Sequence, residues 1–363
     1  MNINQKTLGS YLGDLFDINA ININVADMLL TAFNYVDILN SEEIKQFIKE
    51  GLSENEAIVE LLYDFYQLDR NNKDNVCIMN EYFLGRIKRL EPSNYLNNPY
   101  VKAINKEAKL GKYALKHIKY EPYQLFAYDE ISVDSRNYKE YSAIGYFDKP
   151  FSYLALINGN NVWMSLNPNE IETMKPFIKK GAGRVLVLGL GMGYVPFMLS
   201  LKEEVEDITI VETDEQIISL FEKHLLPLFP NKRKIHIIKN DAIEYTKDKS
   251  NCDKYDYIFA DLWHNPEDGL MPFVELKRNA SLINKQIDCW LETSLIALLR
   301  RCMFTLLEES LMGNSEEDYN YAKIYTDEII NLFYKKTKNI TLNTIDDVKK
   351  LLSDNYLLSL IVD

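Results

Sequence analysis

The sequence has few of the residues that build disulfide frameworks and metal sites. Its 363 residues include 4 cysteines and 4 histidines, and the cysteines, at positions 77, 252, 289 and 302, form no C-x-x-C pair. Cysteines this sparse exclude a disulfide scaffold and favour a reducing compartment. Because the histidines are scattered as well, we expect no metal site.

Long apolar runs and an excess of basic residues are also missing. No stretch reaches the ~18 uninterrupted apolar residues of a membrane span, and residues 1–30 lack the features of a secretion signal. Lys and Arg total 41 against 54 Asp and Glu, a formal net charge of −13, which opposes nucleic-acid binding. We therefore expect a cytoplasmic protein with a small-molecule acceptor, a cation among the candidates, and no nucleic-acid or membrane partner. A homodimer stays an open option.

The composition is that of an ordinary globular protein, with 47% apolar and 26% charged residues. Helical spacing predicts a helical N-terminal domain over residues 1–118, where Ser53 and Glu56 have the spacing of a capping box. Lysines recur between positions 102 and 119, and we interpret them as one solvated helix face; a basic patch for a partner is the alternative. In residues 119–168 the hydrophobic pattern changes to strand-like runs with a turn at Asn158-Gly159. This pattern predicts a small β-hairpin unit.

Strand-like and helix-like segments alternate through the third part, residues 169–363. The apolar runs that we interpret as strands lie at 184–189, 208–212, 234–238, 255–262 and 287–292. This alternation predicts an α/β fold, a Rossmann-like doubly wound sheet of parallel strands, followed by C-terminal helices.

A glycine-rich turn follows the first of these runs. Gly189, Gly191 and Gly193 stand in G-x-G-x-G spacing, and Tyr194 begins an apolar helix. Glycines permit a tight turn and let a ligand lie against the backbone; the alternative is a close helix–strand crossing. The third glycine comes one position too early for a dinucleotide fingerprint, so a nicotinamide-dependent oxidoreductase is the least favoured function.

Acids stand at the ends of the next three runs. Glu212 lies 19 residues after Gly193, where a carboxylate can accept the hydroxyls of an adenosine ribose. Asp241 follows the third run and can accept from an adenine amino group that packs beside Ala242, although aspartate there is also a good helix N-cap. Asp261 lies near the end of the fourth run. Ligands of open α/β sheets bind at this edge.

Together these residues resemble the class I S-adenosylmethionine-dependent methyltransferases, and within them the spermidine synthase-like branch. The resemblance rests on the G-x-G-x-G turn, Glu212 in Val-Glu-Thr-Asp, Asn240-Asp241-Ala242, and the run that ends in Asp261. It implies S-adenosyl-L-methionine or its decarboxylated form as cofactor, with the amino acid part on the glycine turn, the ribose at Glu212 and the adenine at Asp241. Tyr123-Gln124 and the following hairpin resemble the N-terminal β domain of aminopropyltransferases.

The segment after the fourth run departs from that family. Aminopropyltransferases hold and deprotonate a polyamine with a D-x-x-D pair, whereas here Asp261 is followed by His264, with Glu267 and Asp268 close enough in sequence to substitute. We predict Asp261 and His264 as catalytic residues, with the aspartate orienting the histidine. A solvent-facing loop histidine is the alternative.

Three further residues are predicted to bind the substrate, namely Trp263, Tyr123 and Gln124. Trp263 can form a pocket wall over a flat or cationic acceptor; covering a core edge is its alternative role. From the sequence we favour a methyltransferase that acts on a small molecule. An aminopropyltransferase that uses decarboxylated cofactor and a non-catalytic nucleoside-binding module are the alternatives.

Overall fold

The computed structural model describes residues 1–36, 38–312 and 325–362. By their internal contacts the residues form two compact units. Unit 1 comprises Met1–Ala20, Val133–Lys139 and Pro176–Asp363, and unit 2 comprises Ile21–Ser132 and Glu140–Lys175. The domain boundaries at residues 118 and 168 stay a prediction. No helix in the described part of the chain is long and apolar enough to cross a membrane.

The helices follow one another along the chain as α1 (Gln5–Phe33), α2 (Ser41–Lys49), α3 (Glu54–Phe65), α4 (Lys73–Ile78), α5 (Ser93–Leu96), α6 (Pro99–Ala103), α7 (Pro168–Lys180), α8 (Tyr194–Ser200), α9 (Glu215–Leu220), α10 (Ala242–Lys247), α11 (Lys249–Cys252), α12 (Pro266–Ile283), α13 (Glu292–Met312), α14 (Tyr325–Thr337), α15 (Ile345–Leu351) and α16 (Asp354–Val362). Two π-helical turns, Met79–Phe83 and Phe221–Leu225, extend α4 and α9.

The strands are β1 (Asn2–Ile3), β2 (Ile87–Arg89), β3 (Ala108–Leu110), β4 (Tyr113–Tyr120), β5 (Phe126–Ala127), β6 (Ser132–Val133), β7 (Glu140–Tyr141), β8 (Ile144–Tyr146), β9 (Phe151–Asn158), β10 (Asn161–Ser165), β11 (Gly183–Leu188), β12 (Val205–Glu212), β13 (Ile235–Lys239), β14 (Tyr257–Ala260), β15 (Asp288–Cys289) and β16 (Thr341–Leu342).

Unit 1 is built on a sheet of five parallel strands in the order β13-β12-β11-β14-β15. Residues 185–188 of the central strand are completely or almost completely buried. A parallel strand covered on both faces has a continuous apolar sequence, which is why the runs were recognisable. The chain proceeds outward from β11 to β13 and then places β14 on the other side of β11. This order is consistent with the predicted Rossmann-like fold.

Unit 2 combines helices with antiparallel strands. Its hydrophobic core includes Ile58 and Leu62 of α3 and Met79 of the first π-helical turn. The predicted capping box is confirmed, because the Ser53 hydroxyl accepts from the Glu56 N–H and the Glu56 carboxylate accepts from the Ser53 N–H. The strands β10-β9-β4-β3 form an antiparallel sheet in the same unit.

The helix predicted for the lysine-rich stretch is wrong. Helical structure ends at Ala103, and residues 108–120 form β3 and β4 with a two-residue loop between them. β4 pairs with β9 over its whole length, and this long-range pairing overrides a lysine spacing that a helix would also show. Residues 1–118 are therefore not entirely helical, and the lysines do not share one helix face.

Gly189 joins β11 to the turn that follows it. Its N–H donates to the Val211 carbonyl of β12 at 2.9 Å, and its φ of +96° is one that L side chains rarely adopt. A Cβ atom at this position would lie 2.0 Å from the Asp261 carbonyl oxygen, beyond the end of β14. Three neighbouring strands therefore end so close together that only glycine fits between them.

We expect Gly189→Ala to lower the free energy of unfolding by about 2 kcal/mol or more, because the backbone is strained and a main-chain oxygen must shift. Urea unfolding measures the change. The matched control is Gly9→Ala in the interior of α1, where a Cβ meets no atom within 4 Å. That change should raise stability by roughly 0.5 to 1 kcal/mol. Equal stability of the Gly189 variant and the wild type would contradict the close packing.

Candidate functional site

The carboxyl edge of the five-stranded sheet gathers most of the predicted site residues. The glycine turn follows β11, Glu212 ends β12, Asp241 comes soon after β13, and Asp261 follows β14. The strand order reverses between β11 and β14, and ligands of open α/β sheets bind at such a switch point. The topology alone therefore brings these residues to one edge.

The turn itself is shaped by packing inside the protein. Gly191 and Gly193 have φ values of +55° and +76°, and the Gly193 N–H donates to the Leu190 carbonyl at 2.8 Å. A Cβ on Gly193 would lie 2.4 Å from the Phe221 ring. Glycine is thus required at 189 and 193 by the protein's own packing, although neither contact is the helix–strand crossing considered for this turn. Met192 and Tyr194 are buried beside it; that they line a cofactor cavity is a prediction from their place in the glycine turn.

Glu212 holds the turn through backbone hydrogen bonds. One carboxylate oxygen accepts from the Thr213 and Asp214 N–H groups at 2.7 and 2.8 Å, and the other accepts from the Leu190 N–H at 3.2 Å. The residue is 9% exposed. A carboxylate has about four acceptor positions, so these bonds leave room on Oε2 for one further donor. The role of Glu212 toward a ribose stays a prediction.

Asp241 caps the helix that follows β13. Its Oδ1 accepts from the Glu244 N–H at 2.9 Å, at the start of α10. This confirms the capping role that the sequence allowed. The side chain is exposed, and Oδ2 remains an acceptor at the sheet edge, next to the buried Ala242.

Asp261 differs from the other acids because its ionisation is perturbed. Its N–H donates to the Leu188 carbonyl at 2.8 Å, which fixes the backbone against β11. Burial, and then the nearby charge of Glu212, raise the pKa of this carboxyl to about 7. A carboxyl with such a pKa can give or take a proton near neutral pH, which is what acid–base catalysis requires.

His264 is oriented by an aspartate other than the predicted one. Its Nδ1 lies 3.0 Å from Asp268 Oδ2, four residues later at the first turn of α12. Asp268 also accepts from the Asn265 N–H at 3.0 Å and forms a capping box with Asn265. From the sequence, Asp268 was a candidate only for a replacement acid. The capping spacing of Asn265 and Asp268 was the signal that could have revealed it.

The predicted substrate-binding residues are not brought together within one unit. Trp263 belongs to unit 1, where it is 5% exposed and packs so closely on Gly269 that a Cβ there would lie 2.6 Å from its ring. Trp263 thus covers the edge of the core, the alternative role that the sequence allowed for it. Tyr123 and Gln124 belong to unit 2. The rings of Tyr123 and Tyr146 stack with their centroids 5.5 Å apart. Their roles in substrate binding stay predictions.

The family comparison agrees with the geometry of this edge. Residues 169–287 match the model of the spermine/spermidine synthase domain. This segment is a spermidine synthase-like domain. It contains the glycine turn, the three acids and His264, and it confirms the resemblance found in the sequence. The family is enzymatic, which supports a transferase. A search of curated proteins finds no match.

The spermidine synthase-like domain holds one residue near the turn that the sequence analysis missed. Phe221 is fully buried and begins the π-helical turn after α9; its ring is the group that excludes a side chain at Gly193. No sequence signal marks a π-helical turn.

In residues 1–36, 38–312 and 325–362, no group of three or more His, Cys, Asp or Glu could hold a metal ion.

The raised pKa of Asp261 predicts a pH-dependent stability. Between about pH 4 and pH 7 the folded state binds more protons than the unfolded state, so this carboxyl lowers stability as the pH rises through that range. Asp261→Asn removes the titration. The free energy of unfolding of the variant, relative to that of the wild type, should therefore rise by more than about 1 kcal/mol from pH 4 to pH 8. Urea unfolding measures it.

Asp256→Asn is the control for this measurement. Asp256 accepts from the Arg184 N–H at 2.8 Å, which lowers the pKa of its carboxyl. The contribution of this carboxylate to the free energy of unfolding is lost only as the pH falls below about 4. The stability difference between wild type and this variant should be constant from pH 5 to pH 8. A constant difference for Asp261→Asn as well would show that its carboxyl is not perturbed.

Proposed function

We propose that this protein transfers an aminopropyl group from decarboxylated S-adenosylmethionine to a small amine. The observation that carries the proposal is the position of Asp261 directly after β14, at the switch point of a spermidine synthase-like domain. Burial there raises the pKa of its carboxyl. The sequence alone favoured methyl transfer to a small molecule. The family match favours the aminopropyl alternative, because the family uses decarboxylated S-adenosylmethionine as its aminopropyl donor.

The acceptors at the sheet edge fit a nucleoside. Glu212 ends β12 and Asp241 follows the neighbouring strand β13, and each keeps a carboxylate oxygen able to accept one further donor. The ribose hydroxyl and the adenine amino group are donors. In this proposal Glu212 therefore holds the ribose and Asp241 the adenine, while the glycine turn faces the remainder of the donor.

The bound sulfonium supplies the leaving group, so the protein has to align the acceptor and remove one proton. An amine attacks only when its nitrogen lone pair is unprotonated. In this proposal Asp261 takes the proton from the acceptor nitrogen as the new carbon–nitrogen bond forms and the carbon–sulfur bond breaks. Because its pKa is raised, the protonated product of that transfer is stable near neutral pH. The acidic chain suits a cationic acceptor.

Methyl transfer is the second candidate because His264 stands where the D-x-x-D pair has its second acid. The two functions differ in the donor, since only the methyl donor carries a carboxylate. Calorimetric titration with decarboxylated S-adenosylmethionine, S-adenosyl-L-methionine, S-adenosylhomocysteine and NAD separates them. We expect the decarboxylated form to bind most tightly. Tighter binding of the two carboxylated ligands would establish methyl transfer instead, and binding without turnover of any amine would indicate a non-catalytic module.

The assignment of Asp241 is tested by Asp241→Asn. Asparagine is as good an N-cap as aspartate, but it replaces the second acceptor oxygen with an N–H donor that repels the adenine amino group. We expect donor affinity to fall about ten- to a hundredfold, the effect of losing a hydrogen bond to a charged group. Calorimetry measures it.

Asp248→Asn is the matched control, because Asp248 caps α11 through the Ser250 N–H in the same way. Its affinity for the donor should equal that of the wild type. If both variants lose affinity equally, or if neither does, Asp241 is only a helix cap.

A further inference from the structure

A cleft of about 260 Å³ lies in unit 2, outside the segment that matches the family. One face of α3 forms much of its lining, because residues 56, 59, 60 and 63 follow the i, i+3, i+4, i+7 spacing of a helix face. Asn80, in the π-helical turn after α4, and Leu84, directly after that turn, belong to the same lining. The volume is below the usual range of drug-sized pockets, so it suits a molecule of a few non-hydrogen atoms.

Arg70 lines this cleft with its charge already compensated. Its Nε donates to Glu60 Oε2 at 2.9 Å, and its Nη2 donates to Asp64 Oδ1 at 2.9 Å and to the Glu60 carbonyl at 3.3 Å. The guanidinium carbon lies 5.1 Å from the centroid of the Tyr63 ring. Because two carboxylates neutralise this guanidinium, an anionic ligand would gain little from it.

The charge that remains in the lining is negative. Glu56 and Glu60 both contribute carboxylates, and the Ser53 N–H that donates to Glu56 Oε2 lowers the pKa of that carboxyl. A carboxylate has about four acceptor positions, so both residues can accept further donors. In the part of the chain that the structure describes, two carboxylates and one guanidinium line the cleft, a formal charge of −1. A cation therefore fits it better than an anion.

Tyr63 is a buried polar side chain in the same lining. It is 6% exposed, and burial raises the pKa of its hydroxyl, which stays neutral. Within residues 1–36, 38–312 and 325–362 this hydroxyl has no hydrogen-bond partner. A buried polar group without a partner costs free energy. The N–H of a ligand would satisfy the hydroxyl oxygen.

We propose that this cleft binds a small aliphatic ammonium ion. The ammonium donates hydrogen bonds to the carboxylates of Glu56 and Glu60 and to the hydroxyl oxygen of Tyr63. Its alkyl chain packs on Val59, which is buried, and on Leu84, which is 36% exposed. The inference goes beyond the proposed function, because these residues belong to unit 2 and precede the spermidine synthase-like domain.

Three ligands with the same alkyl chain test the charge preference: 1-aminobutane, 1-butanol and butanoate. Carbon-13 spectra of the full chain with ring-labelled tyrosine, assigned with Tyr63→Phe, report on the cleft alone, so an amine that binds elsewhere is not counted. We expect 1-aminobutane to shift the Tyr63 signal with a dissociation constant on the order of a millimolar. The alcohol and the carboxylate should leave the signal unchanged at the same concentration.

Glu56→Gln tests the carboxylates without removing the helix cap, because glutamine also completes a capping box. We expect the dissociation constant of 1-aminobutane to rise about three- to tenfold, the effect of losing a partly exposed ion pair. Glu60→Gln should have the same effect, since it removes a charge but keeps an oxygen that accepts from Arg70. Glu56→Gln alone decides the matter if Glu60→Gln does not fold.

Asp64→Asn is the matched control for Glu60→Gln. Asp64 also accepts from Arg70, but it does not line the cleft. The dissociation constant should therefore change by less than about twofold in this variant. Equal weakening in all three variants would show that the amine responds to the general charge of α3, and the cleft would lose its assignment.

The remaining outcomes separate the amine site from the proposed function. Equal shifts of the Tyr63 signal by 1-aminobutane and 1-butanol, or no shift by any of the three ligands, overturn the site. An enzyme that transfers aminopropyl groups without any Tyr63 shift keeps the proposed function and loses the site. A Tyr63 shift specific to the amine, in a protein that transfers no aminopropyl group, keeps the site and removes the proposed function.

Discussion

The carboxylate of Glu212 is the group on which the sheet edge depends. It ends β12, yet it accepts the N–H of Leu190 in the glycine turn after β11 as well as two N–H groups just beyond its own strand. Hydrogen bonds to a charged acceptor are the strong ones in proteins. They connect the ends of two neighbouring strands, so the conformation of the turn and the position of this acid cannot change separately.

The same charge affects the chemistry on the other side of β11. Asp261 is fixed by its backbone bond to Leu188, and burial, with a smaller contribution from the nearby charge of Glu212, raises the pKa of its carboxyl. One carboxylate thus stabilises a turn with backbone donors and holds the proton of a second carboxyl. Such a pair of acids with different environments is a recurrent arrangement in enzymes that move protons near neutral pH.

The sequence predicted the parallel sheet and its edge well, because buried parallel strands are continuously apolar and because topology alone brings their ends together. It failed where contacts between distant residues decide the structure. Residues 108–120 have a helix-like lysine spacing but pair with β9. Phe221 reaches Gly193 only because of a π-helical turn. The pairing of His264 with Asp268 was closer to prediction, since it follows from a local capping box.

Acids are frequent at this edge for two different reasons, and the structure separates them. Each helix that follows a strand needs acceptors for its first N–H groups. Asp214 and Asp241 provide them at α9 and α10, and Asp268 is the capping-box partner of Asn265 at α12. These acids would be expected here in a protein without any ligand. Glu212 and Asp261 cap no helix. Glu212 is buried and Asp261 is half-buried. Acids in such positions that serve no cap are retained against a cost of desolvation, so these two are better candidates for function than the other three.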